Sequence, residues 1–177
     1  QPTDNTKPVS MIKKRLAGNQ IIIAYMRKVQ AFDSYVVKPA ITAKQSGKIL
    51  KANAGVKLTK NGMSIDFLFE AVRREEEWEK KFEERMRMYK EFYENFVSFD
   101  SGYERAPQFI IVAEDDKHMI EIFKVIVTKG LAFNNMKIYF TQDLSQNATK
   151  LDKSLVEFGT DENGKYRMNT VEVRLLG

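Results

Sequence analysis

Residues 109–113 read FIIVA, five apolar residues in a row, with Pro107 just before them and Glu114-Asp115-Asp116 just after. A strand with one wet face alternates apolar and polar side chains. An unbroken apolar run of strand length signals burial on both faces. The acidic residues that follow suit a helix N-terminus, with Asp115 or Asp116 as the cap, and Gly130 supplies a stop after about Lys129. Residues 137–141 then read as a second strand. Strand, helix and strand make a βαβ unit, in which the two strands run parallel and the crossover is right-handed.

A β-hairpin precedes this unit. Residues 56–60 and 63–72 flank Asn61-Gly62, the pair favoured in a type I′ turn because both central residues need positive φ. Period-2 alternation puts Ile65, Phe67 and Phe69 on one face of the second strand and Asp66, Leu68 and Glu70 on the other. Between hairpin and βαβ unit, residues 73–98 predict a long helix. Trp78, Phe82, Arg85/Met86, Tyr89, Tyr93 and Phe96 recur at steps of three and four, an aromatic stripe for core packing, and the opposite face carries mixed charge. Trp78, Phe82, Tyr89 and Phe109 form the expected core.

The remaining segments are less regular. Residues 1–10 hold Pro2 and Pro8 and read as a tail or linker, leaving residues 11–177 as one domain. Residues 11–28 form a helix with Ile12, Leu16, Ile23 and Met26 near one side. Ile21, Ile22 and Ile23 broaden its apolar arc, so burial on more than one side is expected. Residues 34–43 are β-rich and broken by Pro39; residues 45–54 form a loop or ragged strand. Residues 143–150 suit a short helix. Residues 155–158 and 166–175 form a last strand pair around the turn 161–164. The fold class is α/β, an α+β mixed sheet.

The absence of cysteine removes disulfides, thiolate nucleophiles and thiolate metal sites together. The apolar runs are too short to span a bilayer and residues 1–10 lack a signal-peptide core, so a cytoplasmic location with no membrane partner is expected. The chain opens on Gln1 rather than Met, as an excised or processed piece does.

Net charge is +5, unevenly spread. Residues 1–60 carry twelve Lys/Arg and two acids, whereas residues 61–98 carry seven and ten. Such asymmetry suits a polyanion partner, and it equally suits a lysine-solubilised surface. The candidate DNA-backbone contacts are Lys13, Lys14, Arg15, Lys44, Lys48, Lys51, Lys57 and Lys60.

Catalytic chemistry finds fewer residues. His118 is the single histidine; a zinc site or a Ser-His-Asp relay would rest on it alone, so a satisfied surface or half-buried histidine is expected. No phosphate-binding glycine loop is present. The segment IIVAEDD is similar to the acidic start of a response-regulator receiver domain. Asp143 comes one strand too soon for that pattern, and no matching later lysine follows. Asp66 and Glu70 share a face and would be the metal ligands of a magnesium-dependent nuclease, with Arg73 in support. The preceding strand, however, offers no acid, and Glu70 is followed by Ala71-Val72-Arg73 rather than by Glu-x-Lys. Ion pairing of Glu70 with Arg73 or Arg74 is the plainer role. No catalytic or metal site is expected outside the nuclease alternative.

The order helix, three strands, long helix, strand resembles the αβββαβ core of the PD-(D/E)XK nuclease superfamily. Four segments also look similar to replication-relaxation-type proteins of plasmids and integrative elements: MIKKRLAGNQIIIAY, IDFLFEAVRREEEWEKKFEERMRMYKEFYE, APQFIIVAEDDKHMIEIFKVI and KIYFTQDL. The resemblance implies a nuclease-like domain, degenerate at its catalytic motif, preceded by a winged-helix DNA-binding domain. Its implied role is accessory: a non-catalytic DNA-binding part of a replication or conjugative-transfer complex, partnered by DNA backbone and by other proteins of that complex. The alternatives are an active metal-dependent nuclease and a protein–protein interaction domain.

Overall fold

A computed structural model describes residues 8–134, 136–143, 151, 154–160, 162 and 166–172. Helix α1 spans Val9–Lys28. It is followed by strands β1 (Phe32–Val37), β2 (Ala40–Ala43), β3 (Ile49–Lys51), β4 (Ala54–Lys60) and β5 (Met63–Ala71). Helix α2 (Trp78–Glu94) leads through a short 3-10 turn to β6 (Phe99–Asp100) and β7 (Gln108–Ala113). Helix α3 (Asp116–Thr128) and strands β8 (Ile138–Gln142), β9 (Leu155–Thr160) and β10 (Tyr166–Val171) complete the order.

A mixed seven-stranded sheet runs β1-β4-β5-β7-β8-β9-β10. The β4–β5 hairpin is antiparallel and registers Lys57 with Asp66; Asn61 and Gly62 both take positive φ at its turn. Strand β5 runs parallel to β7, and β7 parallel to β8. Hairpin and βαβ unit thus share one sheet. Asp115 caps α3 by accepting the His118 amide, and Gly130 follows at φ 62°.

The FIIVA strand is buried on both faces. Phe109, Ile111 and Ala113 pack toward α2 and α3, while Ile110 and Val112 pack toward α1. Helix α1 covers the second face through Ala17, Gly18, Ile21, Ile22, Ala24 and Tyr25. The small residues allow close approach: a Cβ on Gly18 would lie 2.7 Å from the Asn53 carbonyl oxygen.

Several expectations are corrected. Helix α1 begins at Val9 and is buried on one side only; Leu16, Ile23 and Met26 face outward. Helix α2 begins at Trp78 rather than Arg73, because Val72, Arg73 and Arg74 bond to β7 and the loop after it, and Glu77 turns left-handed at φ 56°. Trp78 is only half-buried; Phe82, Met86, Tyr89 and Phe92 carry the inner stripe. Beyond Lys38 and Pro39 the chain leaves the large sheet. Strands β2, β3 and β6 form a second, three-stranded antiparallel sheet, in the order β3-β2-β6. Most of the expected short helix at 143–150 and of the turn at 161–164 lies outside the described residues.

Candidate functional site

The ends of β5, β7 and β8 bring an arginine pair among the acids that follow the strands. Arg73, 3% exposed, donates to the carbonyls of Val72 and Val112 and at 2.8 Å to Asp143 Oδ1. Arg74 forks onto Asp115 at 2.7 and 3.1 Å and reaches Glu121 at 3.2 Å. Hydrogen bonds from Arg74 and from the His118 amide hold the Asp115 carboxyl well below the usual carboxylate range. Glu114 and Asp115 are therefore paired with cations of this chain, while Asp116 accepts a hydrogen bond from the Gln142 side-chain amide at 2.9 Å. Among the described residues no group of three or more histidines and acids is arranged to hold a metal ion.

His118 corrects its expected exposure: it is fully buried. Its Nδ1 accepts the Glu114 amide at 3.3 Å, and its ring meets Trp78 edge-on with centroids 5.0 Å apart. Nε2 is buried without a hydrogen-bond partner. Burial, then the nearby Arg74 charge, push its pKa down, against the opposing pull of Glu114, Glu121 and Asp115. A neutral His118 stabilises the fold fully above its ordinary pKa of 6.5, and that contribution drains away as pH falls from there through the lower folded value. Urea midpoints should therefore drop between about pH 7.5 and about pH 5. The drop should shrink in His118→Gln; an equal drop in the variant would exclude His118 as its source.

A second locus adjoins this one. Glu70, expected beside Arg73, is instead held by α2. Arg85 grips both its oxygens, Nε to Oε1 at 2.7 Å and an Nη to Oε2 at 2.6 Å, and the Tyr89 hydroxyl donates to Oε2 at 2.7 Å. Asn53, just ahead of β4, accepts the Ala71 amide and donates to the Lys14 carbonyl, tying α1 to the two hairpin strands. Between these parts runs a groove of about 560 Å³, lined by Lys14, Arg15, Lys38, Lys51 and Arg85 with Glu70 at its floor. Lys14 also bonds Glu75 at 2.8 Å. Burial works to raise the Glu75 carboxyl, but hydrogen bonds from Lys14 and Ser10 outweigh it and lower the pKa.

Asp66 lies four residues from Glu70, about 13 Å along the strand at 3.3–3.4 Å per residue. It faces a separate cleft with Lys57, Tyr103 and Glu104, where burial raises its pKa. Asp66, Glu70 and Arg73 thus occupy three different surroundings and do not fit one shared magnesium ion. The candidate lysines also divide. Lys14, Arg15 and Lys51 join the groove, and Lys13 leans toward Glu114 at 3.8 Å. Lys44 donates to the Val97 carbonyl, and Lys48 lies in the β2–β3 turn. Lys57 and Lys60 lie on the hairpin strand, away from the groove. Lys38 and Arg85 were not among the residues the sequence singled out. Arg85 had a readable signal: it sits on an aromatic stripe facing the sheet, and a buried arginine requires a buried acid.

No protein-family model, no curated protein and no solved structure matches the chain. Among the described residues no helix is long and apolar enough to cross a membrane.

Proposed function

We propose that the chain is a non-catalytic nucleic-acid-binding module that holds a phosphodiester backbone in the groove between α1 and the β3–β5 corner. One observation carries the reading: five Lys/Arg surround a groove whose carboxylate, Glu70, is already paired with Arg85 and hydrogen-bonded by Tyr89. The groove keeps a cationic excess that a polyanion can offset, while Arg85 and Tyr89 occupy three acceptor positions of Glu70 and leave one, on Oε1. Lys51 and Lys38 point the same charge at the groove from the ends of two different strands. An accessory role in DNA processing by a mobile genetic element rests on the resemblance of the four segments to replication-relaxation-type proteins.

The test is a fluorescence titration with duplex DNA across a salt series. Binding should be weak and sequence-tolerant, in the micromolar or poorer range of non-specific contacts, and should fall steeply with salt. Lys38→Glu and Lys51→Glu should each weaken it and flatten the salt slope by about one. Absence of binding at low salt, or a slope untouched by both variants, would refute the reading. Magnesium-dependent cleavage abolished by Glu70→Gln would replace it with the nuclease alternative.

A further inference from the structure

Helix α1 carries a second pattern on its outer side. Val9, Ile12, Leu16, Asn19, Ile23 and Met26 follow steps of three, four, three, four and three, the a and d positions of a heptad repeat. The buried side of the helix is a different set, so this seam faces away from the sheet. Val9, Leu16, Ile23 and Met26 are between 49 and 68% exposed, although an apolar stripe on a helix normally faces the core. At 1.5 Å per residue the helix offers a seam about 30 Å long, close to three heptads.

The flanks say what can cover it. Lys13, Gln20 and Arg27 stand at the e positions and Arg15 at a g position, and α1 carries five Lys/Arg and no acid at all. An antiparallel second copy of α1 would set Lys13 against Arg27 along the seam, a repulsive arrangement in coiled-coil pairing, and a parallel copy would set Arg15 against Gln20 and Arg27 against Ile22, with no ion pair. An acidic helix would meet Lys13 and Arg27 on one flank and Arg15 on the other. A bilayer surface fits less well: Asn19 puts a polar residue in the middle of the seam, and no aromatic residue anchors its exposed side.

We infer that the outer seam of α1 is the docking site for one amphipathic helix of a partner protein, with apolar a and d residues and Asp/Glu at its e and g positions. The helix packs on α1 as a two-stranded coiled coil. Ile12, Leu16 and Asn19 also line the groove of the nucleic-acid site, so a helix along the whole seam and a nucleic acid in the groove would compete; Ile23 and Met26 lie beyond the groove, and substitutions there test the seam alone.

The probe is a labelled synthetic peptide of about three heptads, with Ile at a, Leu at d and Glu at e and g. Its own acidic flanks keep it from pairing with itself. Fluorescence anisotropy with the whole chain should show saturable binding in the micromolar range. Ile23→Glu should weaken binding by at least about tenfold, with the urea midpoint and DNA titration unchanged. Lys13→Glu combined with Arg27→Glu should shift preference from the Glu-flanked peptide to a Lys-flanked one. No binding of the Glu-flanked peptide, or equal binding by Ile23→Glu, overturns the inference. Sedimentation showing a dimer that Ile23→Glu dissociates would assign the seam to a second copy. Binding of phosphatidylglycerol vesicles in preference to the peptide would assign it to a membrane surface. Either result refutes an acidic helical partner.

Discussion

Phe109→Ala is expected to cost about 3–5 kcal/mol of folding stability, the range for truncating a fully buried aromatic residue. Phe109 is 0% exposed at the start of the doubly buried strand. Its ring lies 4.5 Å from Tyr89, 5.8 Å from Tyr93 and 5.4 Å from Phe133, centroid to centroid. Those neighbours come from α2 and from the loop after α3, so the void opens where helices meet sheet. The surrounding ring cluster cannot collapse into the space without moving backbone, which is what makes a cavity costly. Phe109→Leu keeps most of the volume and should cost about 1–1.5 kcal/mol. Urea denaturation of the two variants measures both. A loss below about 1 kcal/mol for Phe109→Ala would mean that this cluster is not the packed centre of the fold.

The same strand shows how far sequence alone reaches. FIIVA predicted burial on both faces, and the strand after α3 pairs with it in parallel, as the βαβ reading requires; its other neighbour, β5, is parallel too, a pairing that reading left open. Asn61-Gly62 and the Asp115 cap were legible because turn geometry and capping are decided by a few adjacent residues. The exposed face of α1 was not. Ile12, Leu16, Ile23 and Met26 form as good an apolar stripe as the face that is buried, and pattern alone cannot choose between two stripes on one helix. The choice comes from size: Ala17, Gly18 and Ala24 let the backbone approach the sheet, and Gly18 has no room for a Cβ. The start of α2 was misplaced for another reason. Arg73 and Arg74 are ordinary helix formers, but here acids from the ends of β7 and β8 and from α3 claim both side chains. Contacts across 40 or more residues leave no local periodic trace. The groove was hidden in the same way, since its cations come from α1, the end of β1, β3 and α2, whose meeting only the sheet topology determines.

Removal of Arg85 tests the centre of that groove. Arg85→Ala is expected to destabilise the chain by about 3 kcal/mol, the lower end of the cost of breaking a buried ion pair, because Arg85 keeps a third of its side chain in water. The penalty falls mainly on Glu70, whose side chain is 4% exposed and would retain only the Tyr89 hydroxyl. An unpaired carboxylate there must either stay charged in a poor solvent or take up a proton. Glu70→Gln placed on the Arg85→Ala background should recover most of the stability by the same logic. The Lys51 carbonyl, which accepts from Arg85 at 2.8 Å, also loses its partner. Part of the cost will therefore persist in the double variant, as solvent or a neighbouring donor replaces that bond imperfectly. If Glu70→Gln deepened the destabilisation of Arg85→Ala, Glu70 would be held by something other than its pairing with Arg85. Its neutralisation, on which the non-catalytic reading of the groove depends, would then fail.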